Sequence, residues 1–276
     1  HFVRRRQRQM CIRDSFHAEA LAGKRVLICG ASGGIGAATA RMMAKAGAST
    51  IVAARSVDKL NALVKELASL GPGPHVAMAL DLEDLPAVDA AVEALLSDGA
   101  VHVLVNNAGG PPGGALIDAD VDEFIAPFKR HLHASHVLVQ GLLPGMEAAG
   151  YGRILQIIST SVKEPIPNIG VSNTLRGAMA SWAKTLSREL PPCVTINNVL
   201  PGFTATDRLD SLANSIQART GKSAEDVHRG WMEQVPIDRL IDPLETAASL
   251  TYLALPAAGA IRGVSLAVDG GRLRSI

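Results

Sequence analysis

A glycine-rich segment near residue 30 has the residue types and spacing of a phosphate-binding loop. It lies between an apolar strand candidate and an alanine-rich helix candidate, and it runs Gly30-Ala31-Ser32-Gly33-Gly34-Ile35-Gly36. We expect Gly30 to allow the tight turn after the strand, and Gly34 and Gly36 to allow close approach to a pyrophosphate. The start of the helix would offer free N–H groups and a partial positive charge. The segment predicts phosphate contacts by Gly30, Ser32, Gly33, Gly34, Ile35 and Gly36, and the alternative is a purely structural turn.

The end of the second strand candidate, residues 49–54, indicates which dinucleotide the site prefers. Sites that prefer NAD usually carry an acidic residue here, which binds the ribose 2′-hydroxyl. This strand is followed instead by Arg55, whose planar guanidinium suits a 2′-phosphate. We therefore expect NADP(H) to be favoured over NAD(H). The competing interpretation is that Arg55 is only a solvated residue at a strand end.

The pattern of apolar and amphipathic segments predicts the fold that positions these residues. The 276 residues are 47% hydrophobic but only 3% aromatic, which suits a parallel sheet packed with aliphatic side chains and covered on both faces. The strand candidates are 24–29, 49–54, 75–80, 101–105, 152–158, 193–199 and 264–268. The helix candidates between them are 34–47, 57–70, 85–97, 120–149, 172–190 and 242–255. This alternation predicts a single α/β domain, a Rossmann-type doubly wound sheet of seven parallel strands in three α/β/α layers.

Residues 203–236 break the alternation of strands and helices. The segment is polar, follows Pro201-Gly202 and contains Trp231 and Met232. An insertion after the carboxyl end of a strand lies over the ligand crevice in a doubly wound sheet. We therefore predict that the segment is a substrate lid.

Composition narrows the choice of partners. The net charge of +1 gives no indication of a nucleic-acid partner, and no apolar run reaches the roughly 18 residues of a membrane helix. The three widely spaced cysteines suit a reducing cytoplasm rather than a disulfide framework or a metal cluster, and Cys29 is expected to pack in the core. We expect a cytoplasmic protein with a small-molecule substrate, no bound metal, and no nucleic-acid or membrane partner.

Residues 1–15 differ from the rest of the chain. They contain five arginines, have no strand or helix period, and lack the apolar stretch of a secretory signal. They resemble translated sequencing-adapter fragments. We expect a non-native, disordered extension, followed by one domain over residues 16–276.

Further motifs resemble the short-chain dehydrogenase/reductase family, in the family's order over residues 24–271. The glycine loop resembles its Thr-Gly-x-x-x-Gly-x-Gly motif, with Cys29 in place of Thr. Asn106-Asn107-Ala108-Gly109 resembles its fourth-strand motif, and Val268-Asp269-Gly270-Gly271 its closing Asp-Gly-Gly. The resemblance implies an NAD(P)-dependent oxidoreductase that forms a homodimer or homotetramer. It also implies cofactor contacts by Asp81 and Leu82 at the adenine, by Pro201, Gly202 and Thr204 near the nicotinamide, and by Asn107, Ala108 and Gly109.

The same resemblance implies a catalytic tetrad of Asn, Ser, Tyr and Lys, from which this chain departs. Ser159 matches the serine that polarises the substrate carbonyl. Ser172 stands where the proton-donating tyrosine belongs, and Arg176 where the lysine that holds the nicotinamide ribose belongs. The asparagine position falls on His131. We therefore predict Ser159, Ser172, Arg176 and His131 as the catalytic set, with Arg176 also contacting the cofactor.

The substituted residues change the chemistry that the site can perform. The hydroxyl of Ser172 is far less acidic than a tyrosine with its pKa of about 10, and Arg176 does not titrate near neutral pH. His131, with an ordinary pKa near 6.5, is the remaining candidate proton donor. Simpler interpretations are that Ser172 caps a helix, that Arg176 pairs with a carboxylate, and that His131 is a structural helix residue.

Two functions stay open from the sequence. One is hydride transfer to an acceptor that needs little acid catalysis, such as an activated ketone, imine, quinone or conjugated alkene. The other is a non-redox lyase, an isomerase, or a protein that only binds NADP.

Overall fold

The computed structural model describes residues 19–275, and a sheet of seven parallel strands forms their centre. The strands are β1 (Arg25–Cys29), β2 (Ser49–Ala54), β3 (His75–Ala79), β4 (Val103–Asn106), β5 (Gly152–Ile157), β6 (Val194–Pro201) and β7 (Ser265–Val268). Their order in the sheet is β3-β2-β1-β4-β5-β6-β7. The direction of winding reverses between β1 and β4, which opens a crevice at the carboxyl ends of these strands. The predicted fold class is confirmed.

Helices cover both faces of the sheet. They are α1 (Gly34–Lys45), α2 (Val57–Leu67), α3 (Leu85–Ser97), α4 (Ala134–Ala148), α5 (Gly170–Glu189), α6 (Asp207–Thr220), α7 (Ala224–Met232) and α8 (Pro243–Ala254). Because successive side chains of a strand point to opposite faces, Val26 and Ile28 belong to one buried apolar cluster and Leu27 and Cys29 to the other. The packing role predicted for Cys29 is confirmed, and burial raises the pKa of its thiol to about 12.

The helix predicted over residues 120–149 is irregular in its first half. A 3₁₀ turn, a short helix and a π-helical turn (Lys129–His133) precede α4. Single π-helical turns within helices often lie at functional sites. Here the turn brings Arg130 and His131 to the backbone carbonyl of Gly109, which follows β4. Periodicity predicted the helix but gave no sign of this contact.

Residues 203–236 form α6, α7 and a small apolar cluster of their own. The rings of Phe203 and Trp231 stack with their centroids 5.3 Å apart within this cluster. The segment also reaches the glycine loop, since a Cβ added to Gly34 would lie 3.1 Å from Cγ2 of Thr206. The segment therefore lies beside the crevice, and its action as a lid stays a prediction.

The prediction of a non-native, disordered extension over residues 1–15 concerns a segment that lies outside the described residues. Among the helices of residues 19–275, none combines the length and the apolar character that a bilayer crossing requires.

Candidate active site

A cleft of about 700 Å³ opens where the order of the strands reverses. It brings together the residues predicted for the cofactor and for catalysis, with two exceptions. Gly36 and His131 do not line it. The residues that do are Gly30, Ser32, Gly33, Gly34, Ile35, Arg55, Asp81, Leu82, Asn107, Ala108, Gly109, Ser159, Ser172, Arg176, Pro201, Gly202 and Thr204. Their individual roles stay predictions.

The amino terminus of α1 leaves its first N–H groups without a side-chain partner. Gly33 is the N-cap and provides no capping side chain, and the first turn carries no acidic residue. Gly30 and Gly34 have positive φ angles of 61° and 52°, which glycine adopts without strain. This end of the helix can therefore accept an anion.

Gly36 packs tightly against the glycine loop, and its predicted approach to a pyrophosphate stays a prediction. A Cβ at this position would overlap the carbonyl oxygen of Gly30 and lie 2.9 Å from Nδ2 of Asn107. Asn107 donates from Nδ2 to the same Gly30 oxygen at 3.1 Å. Gly36 thus allows α1 to pack against the loop and against the end of β4.

Replacing Gly36 with alanine should destabilise the protein even without cofactor. The added methyl group must displace the Gly30 carbonyl, and overpacking of this kind costs about 1–3 kcal/mol. Gly33→Ala is the matched control, because a Cβ there meets nothing within 4 Å. Urea unfolding of both variants measures the difference. Equal stability of the two variants would contradict the packing role of Gly36.

Arg55 is exposed at the end of β2, with Lys59 four residues further on in the first turn of α2. Both side chains line the cleft beside the glycine loop. Lys59 was not predicted from the sequence, because Arg55 lies outside α2 and no helical spacing connects the two residues. Two cations at this end of the cleft suit a phosphate.

Ser159 and Ser172 lie on two different elements that meet at the cleft. Ser159 follows β5, and its Oγ accepts the N–H of Ser161 at 3.1 Å, which leaves its own proton for another acceptor. Ser172 is the third residue of α5, whose N-cap is Ile169. The interpretation of Ser172 as a helix cap is therefore wrong, because α5 begins two residues earlier.

Arg176 is buried, with 8% of its surface exposed. Its Nη1 donates to the carbonyl oxygen of Ile157 at 3.0 Å and lies 3.5 Å from Nδ1 of His131. Within residues 19–275, none of the ion pairs includes Arg176, so the simpler interpretation that it pairs with a carboxylate is wrong. Burial and the charge of Arg208 lower the pKa of Arg176 to about 10, so that it remains cationic at neutral pH.

His131 lies behind Arg176 and is 3% exposed. Its Nε2 lies 3.0 Å from the carbonyl oxygen of Gly109, and its Nδ1 faces Arg176. We assign the proton to Nε2, because Gly109 can only accept and Arg176 can only donate. Burial, and then the charge of Arg176, lower the pKa of His131 well below its usual value. The imidazole is therefore neutral and buried, and this geometry does not support the predicted role as proton donor.

The protein should lose stability in acid partly through His131. The unfolded chain protonates this histidine near pH 6.5, whereas the folded state does not until well below that pH. The unfolded state therefore binds more protons as the pH falls below about 6.5, which costs about 1.4 kcal/mol per pH unit. His131→Asn should lose less stability than the wild-type protein between about pH 7.5 and about pH 5, by at most about 2 kcal/mol. Urea unfolding at both pH values measures this, and identical pH profiles for both proteins would contradict it.

The cleft is more basic than the residues predicted from the sequence would make it. Seven lysine or arginine side chains line it against two aspartates, Asp81 and Asp207. The cations that were not predicted are Lys59, Arg130, Arg208, Arg219 and Lys222. Three of them lie in the 203–236 segment, and no local pattern indicated that they face the crevice. The excess of positive charge suits an anionic ligand.

The doubly wound sheet with a glycine loop at its switch point defines the dinucleotide-binding class of fold. The sequence pattern of the short chain dehydrogenase family matches residues 24–217. The chain belongs to this family.

Named relatives extend over most of the chain. A 3-oxoacyl-(acyl-carrier-protein) reductase of Vibrio harveyi is 32% identical over 255 residues, which cover 91% of this chain and 98% of the relative. An uncharacterized oxidoreductase of Mycobacterium tuberculosis is 32% identical over 252 residues, covering 90% and 91%. The structure of L-sorbose reductase from Gluconobacter frateurii, complexed with NADPH and L-sorbose, superposes with a TM-score of 0.88 at 29% identity, covering 94% of this chain and all of that one. The relatives are therefore short-chain oxidoreductases.

Proposed function

We propose that this protein is an NADPH-dependent oxidoreductase with a non-standard active site. Its acceptor would be a carbonyl, an imine, a quinone or a similar group. The observation that carries the proposal is the meeting of four features in one cleft: the glycine loop, Arg55, Ser159 and Arg176. The reductase relatives and the NADPH complex of L-sorbose reductase support the same activity.

The residues of the cleft fit a nicotinamide dinucleotide. The uncapped start of α1 would bind the pyrophosphate, and Arg55 and Lys59 would bind the 2′-phosphate. Asp81 and Leu82 would border the adenine, and Thr204 would lie near the nicotinamide. When bound, the reduced cofactor supplies the hydride.

The side chains around the acceptor can orient it but have little capacity to protonate it. Ser159 would donate a hydrogen bond to the acceptor oxygen, with Ser172 beside it. The charge of Arg176 would stabilise negative charge that develops there. The two tyrosines of the chain, Tyr151 and Tyr252, do not line the cleft. Water would therefore deliver the proton, which suits an activated acceptor.

The replacement of the family's tyrosine and lysine by Ser172 and Arg176 also supports a second candidate function. A lyase, an isomerase or a protein that only binds NADP needs the cofactor cleft but no proton donor of this kind. NADPH binding without oxidation by any ketone, imine or quinone would favour this candidate.

A fluorescence titration with NADPH and NADH tests the proposal. Wild-type protein should bind NADPH more tightly than NADH. Arg55→Gln should weaken NADPH binding about tenfold to a hundredfold, because it removes a charged hydrogen-bonding partner, and should leave NADH binding unchanged. Lys65→Gln, which removes an exposed cation from the far end of α2, is the matched control. Binding of neither cofactor to wild-type protein would overturn the proposed function.

We also propose a homodimer or homotetramer. The support is a group of exposed apolar side chains before α4, of which Ile117 is 92% and Val121 78% exposed. Light scattering of the purified protein would give the number of subunits.

A further inference from the structure

We propose that the substrate carries an oxyanion, either a carboxylate or a phosphate, which binds between the guanidinium groups of Arg176 and Arg208. This inference rests on the proposed function, because it names the substrate class of the same site. It assigns to Arg208 a role that the sequence did not indicate.

The two guanidinium groups converge on one part of the cleft. Arg208 lies in the first turn of α6, and its Nη2 donates across the cleft to the carbonyl oxygen of Pro111 at 2.6 Å. A Cβ added to Gly110 would lie 3.5 Å from Nη2 of Arg208 and 3.8 Å from Nη2 of Arg176. The absence of a side chain at Gly110 thus leaves space in front of both groups.

These two charges have no acidic partner in the described chain. None of the ion pairs in residues 19–275 includes Arg176 or Arg208. Their neighbour Arg130, by contrast, pairs with Glu83 at 2.8 Å. Loss of hydration and repulsion among the three arginines lower the pKa values of Arg176 and Arg208. Placing like charges together is costly, and a bound oxyanion would offset that cost.

The position of the pair favours a substrate group over the phosphates of the cofactor. The pyrophosphate and the 2′-phosphate already have the start of α1 and the Arg55–Lys59 pair. Arg176 is instead fixed to Ile157, two residues before Ser159. An oxyanion held there would lie beside the acceptor oxygen, as in an oxo acid or a phosphorylated ketone. Apolar side chains of the 203–236 segment, Phe203, Leu212, Ile216 and Trp231, would border the rest of the substrate.

Calorimetric titration of the NADP⁺ complex, which cannot reduce a ketone, tests the inference. The probes are two matched pairs, acetoacetate with methyl acetoacetate and dihydroxyacetone phosphate with dihydroxyacetone. At least one anion should bind about tenfold or more tightly than its neutral partner, and the pair that shows this distinguishes carboxylate from phosphate. Arg208→Met should remove the difference and leave NADP⁺ affinity unchanged. Arg229→Met, which removes an exposed cation of α7 paired with Asp226, should keep it.

Two results would overturn the inference. One is that wild-type protein binds NADP⁺ but binds neither anion more tightly than its neutral partner. The other is a tenfold loss of NADP⁺ affinity in Arg208→Met, which would assign the arginine pair to the cofactor pyrophosphate. Failure of the proposed function would differ from both, because wild-type protein would then bind neither NADPH nor NADH.

Discussion

Replacing Arg176 with methionine is expected to lower turnover at least about a hundredfold without lowering the free energy of unfolding. Loss of a preorganised charge at a reacting centre commonly has an effect of this size. The variant also removes a buried cation whose pKa of about 10 indicates a cost to the folded state of roughly 3 kcal/mol. The variant also leaves the carbonyl oxygen of Ile157 without its hydrogen-bond donor, which lowers the free energy of unfolding by about 1–3 kcal/mol. The two changes therefore offset each other. NADPH oxidation with the best acceptor of a screen measures turnover, and urea unfolding measures stability.

Arg176→Lys is the matched control, because it keeps the charge and loses the second nitrogen of the fork. It should retain more activity than Arg176→Met. If Arg176→Met instead unfolds at much lower urea and keeps its turnover per folded molecule, Arg176 has only a structural role.

The double variant Ser172→Tyr with Arg176→Lys is expected to raise kcat/KM on simple ketones about a hundredfold or more. The two positions are one helical turn apart in α5, so their side chains lie on one face, and both line the cleft. A phenol with a pKa of about 10, lowered by a nearby ammonium group, can donate a proton that a serine cannot. Positioned acids of this kind contribute about 10²–10⁴ in rate. Oxidation of NADPH with a panel of unactivated ketones measures the gain.

The control for this gain is Ser172→Phe with Arg176→Lys, which adds the same ring without a hydroxyl. It should show no increase. An equal rate for the tyrosine and phenylalanine variants would contradict the assignment of Ser172 to the proton-donor position.

The sequence by itself determined the sheet, most of the helices and the glycine loop, because these depend on local patterns. Strand candidates ended within two residues of the observed strands. The glycines with positive φ and the apolar run of β1 need only their neighbours in sequence to be recognised. The same local logic predicted the place of Arg55 in the cleft, because it follows β2, a strand whose carboxyl end lies beside that of β1.

The tertiary structure decided which charges are paired and which protons are available. Arg208 donates to the carbonyl oxygen of Pro111, 97 residues away in sequence. His131 is enclosed by Gly109 and Arg176, a geometry that does not support its predicted role as an acid. Position 36 needs glycine because a Cβ there would overlap the carbonyl oxygen of Gly30, and the pattern of apolar residues does not predict this contact. Burial and pairing depend on the segments that fold against a residue, and the spacing of residues along the chain does not contain that information.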